Sequence, residues 1–488
     1  MAASAEFPTS VPLTNSFPVS LILSGLLVAM GLFSWIRPSG RISFFSAKEN
    51  NLLLTKKSAK SGVKEHVTLA ELCRTATPTK CQLNPLLFNG HLQTCWTSVK
   101  FDNVPVYYKR RIFEADSPRF KGQFAIDFVV EPYEVPETAE AIDEERKYTL
   151  PSGLPERTSM FSEAEFAALP SDDTKPMLVV LHGLSGGSHE LYLRHVVSPL
   201  VADRSWEACV VNSRGCAQTK ISSGVLYNAR ATWDVRQAVK WLRATFPNRP
   251  LFGIGFSLGA NILTNYLGEE GDACQLKAAV ICASPWNLEI SSMALQSSFM
   301  GLQVYSRVMG ISMKKLFEQH SEEISKHPRV DAEAIRSITY LHEFDRALQC
   351  ALWGYPTEGT YYRDASSVDS LLAIRIPFFV VQAEDDPIAC VQALPFQEMG
   401  QTPYGVMMTT SWGGHLGWFE FGGDRWFAKP VNNFLNMMAK EVDLETAPVV
   451  EFPGQVPGQA SEPDDDTDIH FKKANFSPMR RKLSLPII

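Results

Sequence analysis

Residues 249–263 read RPLFGIGFSLGANIL, with three glycines crowding Ser257 between two apolar runs. Leu251 to Gly255 is a short apolar run after Pro250, the length of a buried strand. Leu258 to Leu267 has the spacing of a helix. Between them, Gly255-Phe256-Ser257-Leu258-Gly259 fits G-x-S-x-G, which sets a serine on a strained strand-to-helix turn with its hydroxyl projecting. Small flanking residues suit that turn, because the backbone bends sharply and neighbouring segments pass close. Two rival readings compete. Gly253, Gly255 and Gly259 approximate a dinucleotide fingerprint, but with one residue too many and no acidic partner about 20 residues on. The other rival is a glycine-rich turn with an idle serine.

The surrounding chain separates these readings. A serine nucleophile needs a base, and the base needs an acid to orient it. In sheet-based hydrolases the chain order is serine, acid, histidine. Here VVQAEDDPIAC places Asp385 and Asp386 after an apolar run at Phe378 to Val381, and TTSWGGHLGW places His415 after another at Val406 to Thr409. Ser257, one of the two aspartates and His415 would each lie beyond the carboxyl end of a strand, where sites in such sheets form. Gly413, Gly414 and Gly417 leave room around the imidazole. Upstream, MLVVLHGLSGGSHE gives a strand followed by His182-Gly183-Leu184. An oxyanion hole takes one backbone amide after the nucleophile, here Leu258, and one from this earlier loop, Leu184.

Apolar runs at 177–181, 208–211, 251–254, 278–282, 377–381 and 406–409 alternate with helical segments. That rhythm predicts an α/β protein, a mostly parallel sheet with flanking helices. It breaks between 286 and 370, where two helix-like stretches, one with Met293 and Phe299, read as a helical cap inserted between strands; ordinary core helices are the plainer alternative. Residues 101–135 hold two further strand-like runs. Residues 136–175 are acidic and read as a surface insertion, and 445–488 read as a disordered tail.

The chain has 488 residues, 45% of them hydrophobic, with net charge −7. It can bury a large core, and no basic character points to nucleic acid. Nine scattered cysteines, with no C-x-x-C, suggest free thiols in a reducing compartment. No H-E-x-x-H or phosphate-binding loop is present, so neither a metal nor a cofactor is expected. Phe17 to Ile36 is an uncharged apolar stretch of 20 residues followed by Arg37, Arg41, Lys48 and Lys56. That is long enough to span a bilayer, and the basic flank puts the rest of the chain on the cytosolic side. A cleaved signal peptide would carry its charge before the stretch instead. The expected organisation is an N-terminal segment at 1–16, an anchor at 17–36, a polar linker at 37–80 and the folded domain from 81 to 444.

Several further motifs carry a resemblance. NPLLFNGHLQT (84–94), HGLSGGSHE, NSRGCAQTKISSGVLYNARATWDVR, GFSLGANIL, DDP and GGHLGW together make residues 80–440 similar to a branch of the α/β-hydrolase superfamily. The branch includes fungal medium-chain ethyl-ester synthases, plant embryogenesis-associated hydrolases and mammalian membrane-anchored lipases and phospholipases. The resemblance implies an α/β-hydrolase fold with Ser257 as nucleophile, Asp386, immediately before Pro387, as acid, and His415 as base. It implies a membrane-anchored serine hydrolase of lipid or medium-chain acyl esters at the endoplasmic reticulum or a lipid droplet. An alcohol O-acyltransferase using acyl-CoA is the first alternative, and a non-catalytic membrane-tethered binding module the remote one.

Overall fold

The computed structural model of the chain describes residues 39–48, 51–57, 65–99, 104–134 and 146–451. The expected anchor and the tail beyond 451 lie outside these residues. Among the described residues, no helix is long and apolar enough to cross a membrane.

The strands in chain order are β1 (Ile42–Ser46), β2 (Asn51–Thr55), β3 (His66–Thr68), β4 (Tyr107–Glu114), β5 (Gln123–Val130), β6 (Thr158–Met160), β7 (Met177–Leu181), β8 (Glu207–Asn212), β9 (Leu251–Phe256), β10 (Leu276–Cys282), β11 (Phe378–Ala383), β12 (Gly405–Thr410) and β13 (Val449–Glu451). Ten build one sheet in the order β1-β12-β11-β10-β9-β7-β8-β5-β4-β6, and β13-β2-β3 form a small second one. From β8 through β12 the pairings are parallel. β5 and β1 run antiparallel at either side of that block. The six expected runs coincide with β7–β12, except that Pro377 precedes β11.

The parallel strands are buried on both faces because alternate residues feed two separate cores. Phe252, Ile254 and Phe256 point into one core, while Leu251 joins the other. On the Leu251 face the next two positions are Gly253 and Gly255. A Cβ on Gly255 would lie 2.6 Å from the Ala260 Cα, so only glycine lets the helix Leu258–Glu270 sit this close to the sheet. That helix is buried from Gly259 to Gly268, and its weak amphipathicity follows from having no solvent face.

The structure corrects the expected boundaries. The stretch read as a linker contains β1, which pairs along its whole length with β12, and the helix Leu69–Ala76, capped by Thr68 and Glu71. The folded domain therefore begins near residue 40. Lysines hid these strands from a reading by polarity, although Leu52 and Leu54 are buried. Part of the acidic insertion is β6, paired parallel to β4 at the sheet edge, and Val449–Glu451 of the expected tail pairs with β2. Between β10 and β11 the chain makes a run of helices, including Leu288–Ser297, Arg307–Gln319 and Glu358–Ala365. Two asparagines on the buried helix hold the base of this insertion. The Asn261 and Asn265 side-chain amides both donate to Ala365 O at 2.9 Å.

Candidate active site

Ser257 sits on the turn between β9 and the helix Leu258–Glu270, at φ 53° and ψ −120°. Side chains rarely adopt that conformation, which costs about 1–3 kcal/mol and persists only where the surroundings enforce it. Here the glycines enforce it. A Cβ on Gly259 would stand 2.3 Å from His182 O, and one on Gly255 2.5 Å from Gly259 O. The Ser257 amide donates to Cys282 O at 2.9 Å, tying the turn to β10.

The turns after β9, β11 and β12 converge. The Ser257 Oγ lies 2.7 Å from His415 Nε2. His415 Nδ1 lies 2.8 Å from Asp386 Oδ2. The amides of Ile388 and Ala389 donate to the other Asp386 oxygen, both at 2.8 Å. Asp385, the alternative acid, points elsewhere: its Oδ1 accepts from the Gly414 amide at 3.0 Å. Burial raises the Asp385 carboxyl above its usual range, and that amide opposes the shift.

The loop bearing His415 is strained as well, with positive φ at Gly414, Leu416 and Trp418. What holds it is the 84–94 segment. Thr94 Oγ1 accepts from the His415 amide at 2.9 Å and donates to Gly90 O at 2.6 Å. Gln93 Oε1 accepts from the Phe419 amide at 2.8 Å. A Cβ on Gly90 would fall 1.9 Å from Asp385 O, so the helix Gly90–Trp96 begins directly against the loop of the two aspartates. The 84–94 motif does not by itself disclose this role. The available signal was its N-cap residue Asn89, which accepts from the Leu92 amide and marks a short helix in a stretch without charge.

The loop after β7 brings Leu184 to Ser257. The amides on either side of Leu184 are engaged: Gly183 donates to Tyr192 Oη at 2.7 Å and Ser185 to Tyr227 Oη at 2.8 Å. His182 stiffens the same loop. Its Nε2 accepts from the Ser213 amide at 3.0 Å, which places the proton on Nδ1, 2.7 Å from Gly183 O. Burial lowers the His182 pKa to about 4, so the ring is neutral at physiological pH. Leu258 opens its helix, so its amide lacks an intrahelical acceptor.

Two cavities meet at Ser257. One is lined largely by apolar side chains, among them Leu258, Leu288, Leu295, Met309, Met313 and Leu341. Asp345 and Tyr362 also line it, and the Tyr362 hydroxyl donates to Asp345 Oδ2 at 2.7 Å. The second is the more polar of the two, with Thr94, Thr97, Glu190, Ser312 and Arg425 among Leu191, Met309 and Leu416 beside Ser257 and His415. Arg425 is buried, with its guanidinium 4.4 Å from the Phe419 ring centroid, and its Nε has no hydrogen-bond partner among the described residues. Burial lowers its pKa to about 10, which leaves it charged. Among the described residues no cluster of His, Cys, Asp and Glu is arranged to hold a metal ion. Among the described residues no two cysteines form a disulfide.

Residues 176–396 match the family described as "alpha/beta hydrolase fold". The chain is 36% identical over 398 residues to the monoacylglycerol lipase of Saccharomyces cerevisiae, covering 78% of this chain and 87% of that protein. It is 29% identical over 444 residues to the medium-chain fatty acid ethyl ester synthase/esterase 2 of the same yeast, covering 83% and 96%. The human phospholipase ABHD3 is 28% identical over 247 residues, covering 51% of this chain and 59% of that protein.

Proposed function

The chain belongs to the α/β-hydrolase family, and on that premise we propose that it is a serine hydrolase of lipid or medium-chain acyl esters working through an acyl-enzyme. The observation that carries this is the hydrogen-bonded line from Ser257 through His415 to Asp386, ending at the mouth of an apolar cavity. Asp386 holds Nδ1–H of His415 and so turns the Nε2 lone pair toward the Ser257 hydroxyl. As Oγ attacks the ester carbonyl, its proton passes to Nε2, and Asp386 stabilises the imidazolium. The amides of Leu184 and Leu258 bind the developing oxyanion, each worth about 2.7–4 kcal/mol in the transition state. His415 then returns the proton to the leaving alcohol. Water enters by the same face, is deprotonated by His415 and releases the acid.

The acyl group belongs in the apolar cavity and the alcohol in the polar one. This second chamber supports a second reading, in which an alcohol replaces water and the product is a new ester. The name of the yeast ethyl ester synthase/esterase points the same way. We further infer that residues 17–36 anchor the enzyme with its folded domain on the cytosolic side. The deciding experiment incubates the purified protein with medium-chain acyl-CoA, monoacylglycerol and lysophospholipid, with and without ethanol, and identifies the products. Free fatty acid as the main product supports hydrolysis, and ethyl ester the transfer reading. No turnover of any of them contradicts both.

A further inference from the structure

Of the twelve large apolar side chains that stand well out in solvent among the described residues, ten lie in residues 86–99 and 290–311. Phe299 is 78% exposed, Met293 65% and Phe88 64%. The two stretches are 200 residues apart in the chain but adjacent in space. His91 Nδ1 lies 2.8 Å from Tyr305 Oη, and their rings stack at 5.7 Å. Thr94 and Thr97 from one stretch and Met309 and Ser312 beside the other line the polar chamber that reaches Ser257.

The cap helices here are apolar on two sides. In Leu288–Ser297, Leu288 and Leu295 face the acyl cavity while Ile290 and Met293 face outward. In Arg307–Gln319, Met309 and Met313 face inward while Val308 and Ile311 are exposed. A helix on the surface of a soluble domain normally keeps its outer face polar. Concentrated exposed apolar surface marks a place where a second phase or partner sits. The charges narrow the choice. Residues 84–99 carry no charged side chain, and from 290 to 317 the only charges are Arg307, Lys314 and Lys315, with no carboxylate. Arg307 and Lys315 are exposed.

We propose that this collar is a bilayer-docking surface. Phe88, Met293, Phe299, Val308 and Ile311 enter the headgroup boundary, and Arg307 and Lys315 meet anionic headgroups. A bilayer fits better than a protein partner because the chamber leading to Ser257 runs between the two stretches. A protein seated there would block the entry that a membrane would feed. The inference rests on the lipid-ester reading, and its test separates the two.

The test uses the full chain in a Cys95→Ser background, since Cys95 is the exposed thiol. An environment-sensitive fluorophore is attached at Phe299→Cys or, as control, at Ala244→Cys, an exposed position in the last turn of the helix Thr232–Thr245. Each protein is mixed with phosphatidylcholine vesicles, with or without phosphatidylserine, carrying spin-labelled lipid. The label at 299 should shift to the blue and be quenched, more so with phosphatidylserine, while that at 244 stays unaffected. The double variant Met293→Glu/Phe299→Glu should hydrolyse vesicle-borne monoacylglycerol at least about tenfold more slowly, with short soluble esters cleaved within about twofold of wild type. A 299 label as unresponsive as the 244 label overturns the proposal. So does a 299 label already in an apolar setting without vesicles: if independent of protein concentration, another part of the chain covers the collar, and if dependent, a second copy does. Wild-type protein that cleaves neither ester but shows the quenched 299 label would retain the docking surface and refute the catalytic reading.

Discussion

Asp385 and Asp386 are adjacent carboxylates on one turn, yet they face different partners. Asp386 reaches the imidazole, and Asp385 supports the backbone of Gly414. Asp386→Asn should lower kcat by about 10⁴-fold, because an amide in that position stabilises the wrong imidazole tautomer. Asp385→Asn should retain most of the activity and lose stability, which a thermal melt beside a rate measurement distinguishes. Local sequence could not separate the two, because the choice is made by the loop carrying His415, and that loop is fixed by Thr94 from 321 residues away. A second residue-scale prediction concerns Asp345. Burial raises its pKa to about 7. The folded state therefore holds a proton that the unfolded chain, with an ordinary carboxyl near 3.8, releases. The associated stability is full below about pH 3.8 and is lost as pH rises through 7. Asp345→Asn should melt closest to wild type at pH 4 and increasingly above it toward pH 8. A difference in melting temperature that does not grow with pH would contradict this.

At the scale of elements, the turn around Ser257 was legible because its constraint is local. A strand, a serine between glycines and a helix occupy 20 consecutive residues, Leu251 to Glu270. Gly259→Ala tests that constraint: its Cβ would collide with the backbone of His182, so the variant should fold poorly or lose at least about 1–3 kcal/mol in a denaturant titration. The cap was legible as helical but not in its facing. Met293 and Phe299 look like pocket residues by hydropathy, yet both are exposed, and Leu295, Met309 and Met313 line the cavity instead. A helix apolar on two sides gives hydropathy no means of choosing the inner one. Leu295→Trp and Met313→Trp should therefore shift preference toward shorter acyl chains in a chain-length series, while Phe299→Trp should not.

The whole molecule depends on pairings that close late in the sequence. β1 completes the edge of the sheet beside β12, the strand that leads to His415, and β13 closes the small sheet on β2. The lysine-rich stretch around β1 and β2 concealed them, since edge strands are short and tolerate polar neighbours. A chain shortened by residues 1–38 should keep its rate on short soluble esters and lose activity on membrane-borne lipid. Removing residues 1–47 should abolish both by exposing the edge of β12. The central claim is that Ser257 carries the acyl group. It is tested most directly by reacting the protein with a fluorophosphonate and mapping the adduct by mass spectrometry, beside an ester-hydrolysis assay of Ser257→Ala. The account predicts a single adduct on the peptide containing Ser257 and no hydrolysis by the variant. An adduct on another residue, or a Ser257→Ala protein that still cleaves esters, would contradict it.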